Sequence, residues 1–534
     1  MRKAREAGVG EGEGWACGAG RAMRGPAPKR LLLLALVACG SKHPAGTTTL
    51  EIRVTDGAKP VGARVLLFDA HDQPVHLGRL DLFGSRQGAS AVVIAPSVVG
   101  SWDGLILADG TGDVPIGKDI PYGRYHVWAW RGIEYELWQG DVDVSEKRGK
   151  VTLDIPLERA WAPQGTLAAD LHVHAFASHD STLPNPQRVV AQAAAGIQVV
   201  GLSDHDVTGD LDREIAALHL GDRITSIASN ELSSDNLHVG VYPAKSQPPD
   251  ADILHADAEH LFAIAHAMPG NPIVQLNHPR FRVTALYDQR HWDGTSWPPP
   301  FPLAFDAVEV LAGYTAFNAP GDRRFDESVR DFYTLVDHGH LVAPLGNSDT
   351  HDLNWVLDGT TRNYVFVDDP RTEPFDEAGF VAAIRARRVV ATSGPWLDVE
   401  VAPAQGVTPT VGPGQAVVSR DHAVWVDVTV SQTHFVHVDR ITITVGGGAT
   451  QTIAVPPNVR THRWAGKVLV GDADTWIGIT ADGDTPLPLP LTGSYQKDKW
   501  NRAGVTPFAI ASPVLVDADG DGHWKRGDAD LSVR

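Results

Sequence analysis

Short runs in which apolar and polar positions alternate occupy both flanks of the chain, whereas the middle shows apolar runs that empty abruptly into polar residues. Residues 50–54, 63–68, 125–130 and 151–156 alternate or nearly so and are divided by Gly, Pro and Asp, which reads as strands joined by turns. Residues 423–430 and 440–445 repeat the pattern, with Gly446, Gly447 and Gly448 as a turn. Both flanks, 47–160 and 397–534, therefore read as β-sandwich-like. Between them, residues 165–171, 197–202, 272–276 and 341–346 have buried-strand character. Helical spacing covers 186–195, opened by Asn185 and Pro186 and stopped by Gly196, then 326–337 before Gly339, and 375–388. Strand and helix alternate only here, so 165–396 is expected to be an α/β domain.

The chemistry sits at the ends of the central strands. The first run meets Asp170, His172 and His174, the second Ser203, Asp204, His205 and Asp206, the third Asn277, His278, Pro279 and Arg280, and the fourth Asp349 and His351. Glu231 and His238 lie between the second and third. Side chains two apart on a strand share a face, so His172 and His174 can grip one ion. Ligands at successive strand ends are what a β/α barrel presents on its catalytic face. Four such ends argue for a convergent site able to hold more than one divalent metal.

These strings resemble the successive motifs of the PHP (polymerase and histidinol phosphatase) superfamily. Within it they are most similar to the CehA/McbA group of metallohydrolases, through Asn347 to His351, Gln275 to Arg280, and the 305–310 run Phe-Asp-Ala-Val-Glu-Val. The resemblance covers residues 165–396 and implies a distorted (β/α)7 barrel with two or three divalent ions. By position it implies that His172, His174, His205, Glu231, His238, His278, Asp349 and His351 are metal ligands, with Asp180 preferred over His179 as a further one. Separately, Pro121, Tyr122, Gly123, Arg124 and Tyr125, followed by Val127 and Trp128, resemble the closing strand of carboxypeptidase-regulatory-like sandwiches.

Clustered divalent ions acidify water and neutralise the charge that grows on a phosphoryl or carbonyl oxygen, so metal-dependent hydrolysis is the expected activity. Mixed His, Asp and Glu ligands suit Zn, with Mn or Fe open. A phosphoester is the first substrate expectation, and a carboxylic ester or carbamate the alternative; a non-catalytic ligand-binding lipoprotein is the reading from another class. Asp206 is expected to orient His205 or shuttle a proton, Arg280 to clamp an anion, and His179 to serve as acid for the leaving group. Phe281, Trp292, Trp297 and Phe301 would wall the site with apolar surface, the Pro/Trp-rich insertion 290–302 acting as a lid. No Gly-x-Ser-x-Gly elbow, Walker A loop or dinucleotide-binding glycine motif competes.

The ends add location and charge. Lys29 and Arg30 precede the apolar run 31–37, and Leu36, Val37, Ala38 and Cys39 resemble a bacterial lipobox, so residues 1–38 are expected to be a signal peptide and 39–46 a linker lipidated at Cys39. Met23 is the expected true start. The expected location is therefore a bacterial cell envelope, lipid-anchored and facing the periplasm or the surface. Only Cys17 and Cys39 occur, so no disulfide can form beyond residue 39. The formal net charge is −19, and the first 38 residues hold seven Lys/Arg against three Asp/Glu, so the chain beyond them is more acidic still. Nucleic acid, which demands clustered basic residues, is thereby disfavoured in favour of a small anionic or ester substrate. Asp517, Asp519, Asp521 and Asp528 match the oxygen spacing of a calcium loop.

Overall fold

The computed structural model describes residues 46–71, 91–93, 105–109, 114–145, 149–249, 251–281, 284–313, 323–353, 358–370, 374–488 and 505–533. The signal-peptide expectation, Met23, Cys17 and the lipobox at Cys39 lie outside them. The chain is mostly strand with few helices, as an α/β core between β segments requires.

Two sheets carry the central segment. In one, Thr225–Ala228, Val199–Leu202 and Thr166–Val173 run parallel, followed by antiparallel Arg362–Phe366 and Val389–Thr392. In the other, Asn230–Ser233, His238–Tyr242, Ile273–Leu276, Ala307–Ala312 and Ala343–Asn347 are neighbours in that order. The sheets are stitched at both edges: His205 bridges Glu231, and Val173 bridges Thr350, with the Asp349 amide donating to the His172 carbonyl at 2.9 Å. Parallel pairing brings the C-terminal ends of these strands together. His238–Tyr242 is antiparallel to both its neighbours, which puts its first residue, His238, at that same end.

Near-continuous burial explains why these strands lack the alternation of the flanks: both faces of Thr166–Val173, Ala307–Ala312 and Ala343–Asn347 are covered. The helix Asn185–Ala194 starts one residue before its expected position, with Pro in its first turn, and gives way at Gly196, whose φ of 79° only glycine adopts freely.

In the N-terminal segment, Thr47–Asp56 pairs with Val114–Pro121 and, in parallel, with Val151–Leu157. A second sheet orders Ala91–Val93, Leu105–Asp109, Gly62–Phe68, Gly123–Trp130 and Trp138–Val144. Leu50, Ile52 and Val54 from one sheet and Val65, Leu67 and Val127 from the other fill one apolar core. Trp130 and Tyr135 are buried, which gives these aromatics a packing role.

The C-terminal segment is not set apart at residue 396. Val389–Thr392 pairs with Phe508–Asp517, so the central sheet continues through Thr475–Asp482, Arg440–Val445 and Ala449–Ala454. A three-stranded sheet, Trp396–Ala402, Ala423–Ser431 and Thr461–Leu469, covers it through Val424, Val426, Val428 and Val430. That same apolar cluster takes in Leu66 and Trp130 from the N-terminal segment and Val190 and Tyr364 from the centre, so the three segments share core. All of them fall in one unit, His43–Arg534. Among the described residues no helix is long and apolar enough to cross a membrane.

One histidine beside this core has its pKa displaced by burial. His340 packs against Phe305 at 5.2 Å with its Nε2 lacking a hydrogen-bond partner, and burial pushes its pKa down to about 4. Below about pH 6.5 the unfolded chain takes up a proton that the native state refuses, so stability falls from there until the native value is reached. His340→Leu removes that loss. Relative to wild type, its unfolding free energy should gain on the order of 1–2 kcal/mol between pH 7 and 4.5 after allowing for partial exposure, read as a thermal midpoint that pulls ahead of wild type as pH falls. Parallel midpoint-against-pH curves would refute this.

Candidate metal centre

At the shared strand ends, nine side chains converge in overlapping groups close enough to hold metal ions: His174, Asp180, His205 and His351; His172, His174 and Glu231; His172, His278 and Asp349; and His205, Glu231 and His238. These are all the residues expected as ligands. Glu231 is the hub. One of its oxygens lies 3.0 Å from His172 Nε2, 3.2 Å from His238 Nδ1 and 3.5 Å from His278 Nε2. The other lies 3.0 Å from His205 Nδ1 and 3.5 Å from His174 Nε2. Asp349 Oδ1 is 3.2 Å from both His172 Nε2 and His174 Nε2. Asp180 Oδ2 joins His205 Nε2 at 3.2 Å and His351 Nε2 at 3.0 Å, whereas the exposed His179 stands outside these groups with its ring 4.7 Å from that of His205.

Donor counting shows that the set suits cations. His172 Nδ1 faces Glu309 Oε1 at 2.9 Å and His351 Nδ1 faces the Asp349 carbonyl at 3.0 Å; both neighbours accept only, so each ring commits its N–H there. That leaves the Nε2 lone pairs aimed at carboxylates, and His172 Nε2 also faces His174 Nε2 at 3.1 Å. Lone pairs so opposed need a positive charge between them. A divalent ion fits this donor set, and Glu309 and Ser178 orient His172 and His174 by their outer nitrogens, while Ser233 meets His205 at Nδ1, the nitrogen that also faces Glu231.

The electrostatics show surroundings negative enough to favour positive charge, whether on the rings or on an ion. Burial alone would lower the pKa of His172, but Glu231, Asp349 and Glu309 outweigh it and hold it well above the ordinary value. Burial likewise opposes charge on His205, yet Glu231 and Asp180 raise it to about 10. His174, buried and beside His351, is driven down to about 3. Burial favours a neutral Glu231, and the surrounding imidazoles overturn this and keep it ionised. The backbone is strained at the same place: Asp206, His278 and Asp349 have φ of 56°, 25° and 52° just beyond three of the strand ends.

Glu309, for which the 305–310 run suggests no role of its own, turns out to be a central support. It holds His172, the His278 amide at 2.8 Å and Asn347 Nδ2 at 2.8 Å. A glutamate in the middle of the fully buried strand Ala307–Ala312 is the signal that could have marked it. Gly240 lies where a Cβ would come within 3.3 Å of Asn277 Oδ1 and Gln275 Nε2, so glycine makes room for the amides around Glu231. Asp206 sits beside His205 as expected; its Oδ1 accepts from the Ser233 amide at 3.0 Å, and partial burial raises its pKa.

Four expectations need correcting. Arg280 is not free to clamp an anion: it is 5 % exposed, with Nε on Asp331 at 2.6 Å, Nη1 on Asp288 at 3.2 Å and Nη2 on the Trp292 carbonyl at 2.9 Å. The insertion 290–302 is packed down rather than poised as a lid, because Trp292 and Phe301 are buried against Tyr287 and Trp297 stacks on His338 at 4.4 Å. Of the proposed apolar wall only Phe281 borders the cluster, 5.5 Å from the His278 ring. As for calcium, the acidic group that forms is Asp474, Asp517 and Asp519; Asp521 pairs with Lys525, and Asp528 lies in the turn between His523–Arg526 and Ala529–Ser532. Asp517 and Asp474 already accept backbone amides from Gly520, Gly522, Ala518 and Lys525.

Arg280→Met should therefore behave as a stability variant. Leaving Asp331, which is 0 % exposed, without its main cation should cost on the order of 3 kcal/mol in denaturant unfolding, while KM for an anionic substrate stays within about twofold. A large KM increase with unchanged stability would restore the clamp. Comparison with protein-family models and with curated proteins gave no match to this chain.

Proposed function

We propose that the chain is a metal-dependent hydrolase built on a distorted (β/α)7 barrel of the PHP type, the two stitched central sheets forming its ring. The observation that carries this is the convergence on buried Glu231 of five imidazoles, with His172 Nε2 and His174 Nε2 facing each other at 3.1 Å. His172, His174, Glu231, His278 and Asp349 would hold ions at the deep end, and Asp180, His205, His238 and His351 nearer the mouth. When bound, divalent cations acidify water and neutralise charge on the oxygen under attack. The chain's own groups do the rest. Glu309 fixes His172 through its outer nitrogen. Asp206, partly buried and beside the cluster, is placed to take a proton. His179, exposed against the His205 ring, can give one to the leaving group.

Phosphoester hydrolysis is the first reading, from the resemblance. Ester or carbamate hydrolysis is the second, favoured by two features: Arg280 is engaged internally, and Phe176, two residues after His174, is 71 % exposed. The lipobox-like Cys39 supports a lipid-anchored enzyme of the cell envelope.

Elemental analysis of the chain from residue 40 onward, with p-nitrophenyl phosphate, bis-p-nitrophenyl phosphate and a p-nitrophenyl ester as substrates, tests this. At least two divalent ions per chain are expected, and a loss of at least about 100-fold in kcat for His205→Ala. Preference among the three substrates decides the bond class. Protein that binds no metal and stays inactive when Zn or Mn is added would leave a ligand-binding lipoprotein instead.

A further inference from the structure

A line of buried side chains runs from the N-terminal β segment to the back of the metal cluster. In the strand Gly62–Phe68, Ala63, Val65 and Leu67 fill the core between the two N-terminal sheets. Arg64 and Leu66 face the other way, where Leu66 joins the core shared with the central segment. Arg64 is 1 % exposed, and its Nη2 lies 2.7 Å from Asp358 Oδ2. Asp358 Oδ1 accepts from Arg188 Nη1 and, at 3.1 Å, from Gln192 Nε2. Arg188 donates Nε to the His174 carbonyl at 2.9 Å and Nη2 to the Thr350 carbonyl at 3.0 Å. Those carbonyls belong to one member of the cluster and to the residue between two others, Asp349 and His351.

Packing alone gives no reason for an arginine at this place. Arg64 Nε and Nη1 have no hydrogen-bond partner, and burying a guanidinium so incompletely satisfied is costly. What Arg64 does accomplish is division of Asp358: by holding one oxygen it leaves Arg188 only the other. Without it, carboxylate and guanidinium would favour the bidentate pairing, which turns Arg188 away from the two carbonyls.

We propose that Arg64 is a positioning residue of the metal cluster, so that the N-terminal β segment completes a site none of whose ligands it supplies. The proposal rests on reading the cluster as a metal centre. Its test uses the full chain, Zn2+ affinity by competition with a chromophoric chelator, and thermal midpoints. Arg64→Met should weaken at least one Zn2+ by about tenfold. Asp358→Asn, nearly isosteric, should do the same and carries the test if Arg64→Met does not fold. The double variant should bind no more weakly than the worse single one, because both act on one line. Val65→Ala, in the same strand but facing the N-terminal core, should lower the midpoint and leave Zn2+ affinity unchanged. Folded Arg64→Met or Asp358→Asn with wild-type Zn2+ affinity would overturn the proposal. A wild-type chain that binds neither Zn2+ nor Mn2+ would instead overturn the metal reading itself.

Discussion

A carboxylate buried at the meeting point of two sheets is the constraint to which the rest of the central segment answers. Glu231 stands between strands of different sheets, Thr225–Ala228 before it and His238–Tyr242 after it, and is 0 % exposed. A lone buried carboxylate would be neutral or would unfold the region. Five imidazoles surround it, arriving from several different strand ends, and His172, His238 and His205 among them keep it charged. Parallel pairing on one side and a single antiparallel strand on the other achieve that convergence.

Holding so many like groups together is costly, and the structure shows where the cost falls. Left-handed backbone occurs at His278 and Asp349, two members of the cluster, and at Asp206 beside His205. Behind them lies a layer of buried polar groups: Glu309 beneath His172, Asn277 on Glu231 at 2.8 Å, and Asp170 on the Ser348 amide at 3.0 Å and hydroxyl at 2.6 Å. Burial outweighs the Ser348 and Gln192 donors and lifts the pKa of Asp170 to about 6. Rigidity of this layer is what a site of fixed ligand geometry requires.

The flanks serve the same end. Shared core and the Val389–Thr392 pairing with Phe508–Asp517 make the C-terminal strands an extension of the central sheet, and Arg64 does for the N-terminal segment what no apolar contact could. Arg280, whose place in the sequence suggests a substrate group, belongs to this scaffolding: with Asp331, Asp288 and the Trp292 carbonyl it nails down the insertion C-terminal to it. Charge and position in a motif point to a clamp; only the partners reveal that all three of its nitrogens are engaged inside the protein.

By itself the sequence determined which strands are buried, where they end and which side chains leave those ends, because side-chain period and the apolar run-to-polar switch are local properties. His172, His174, His205 and Asp349 were legible on that ground. Glu309 and Arg64 were not, since a charged residue inside an apolar strand has no local meaning until its distant partner is known. The same holds for Arg188 and Gln192, one turn apart on a helix and buried against Asp358. Tertiary structure alone decided that the C-terminal strands join the central sheet, that the Trp-rich insertion is packed, and that Arg280 is occupied. The physical reason is common to all three: pairing of buried charges and strand edges is settled between segments far apart in the chain, where no periodicity reaches.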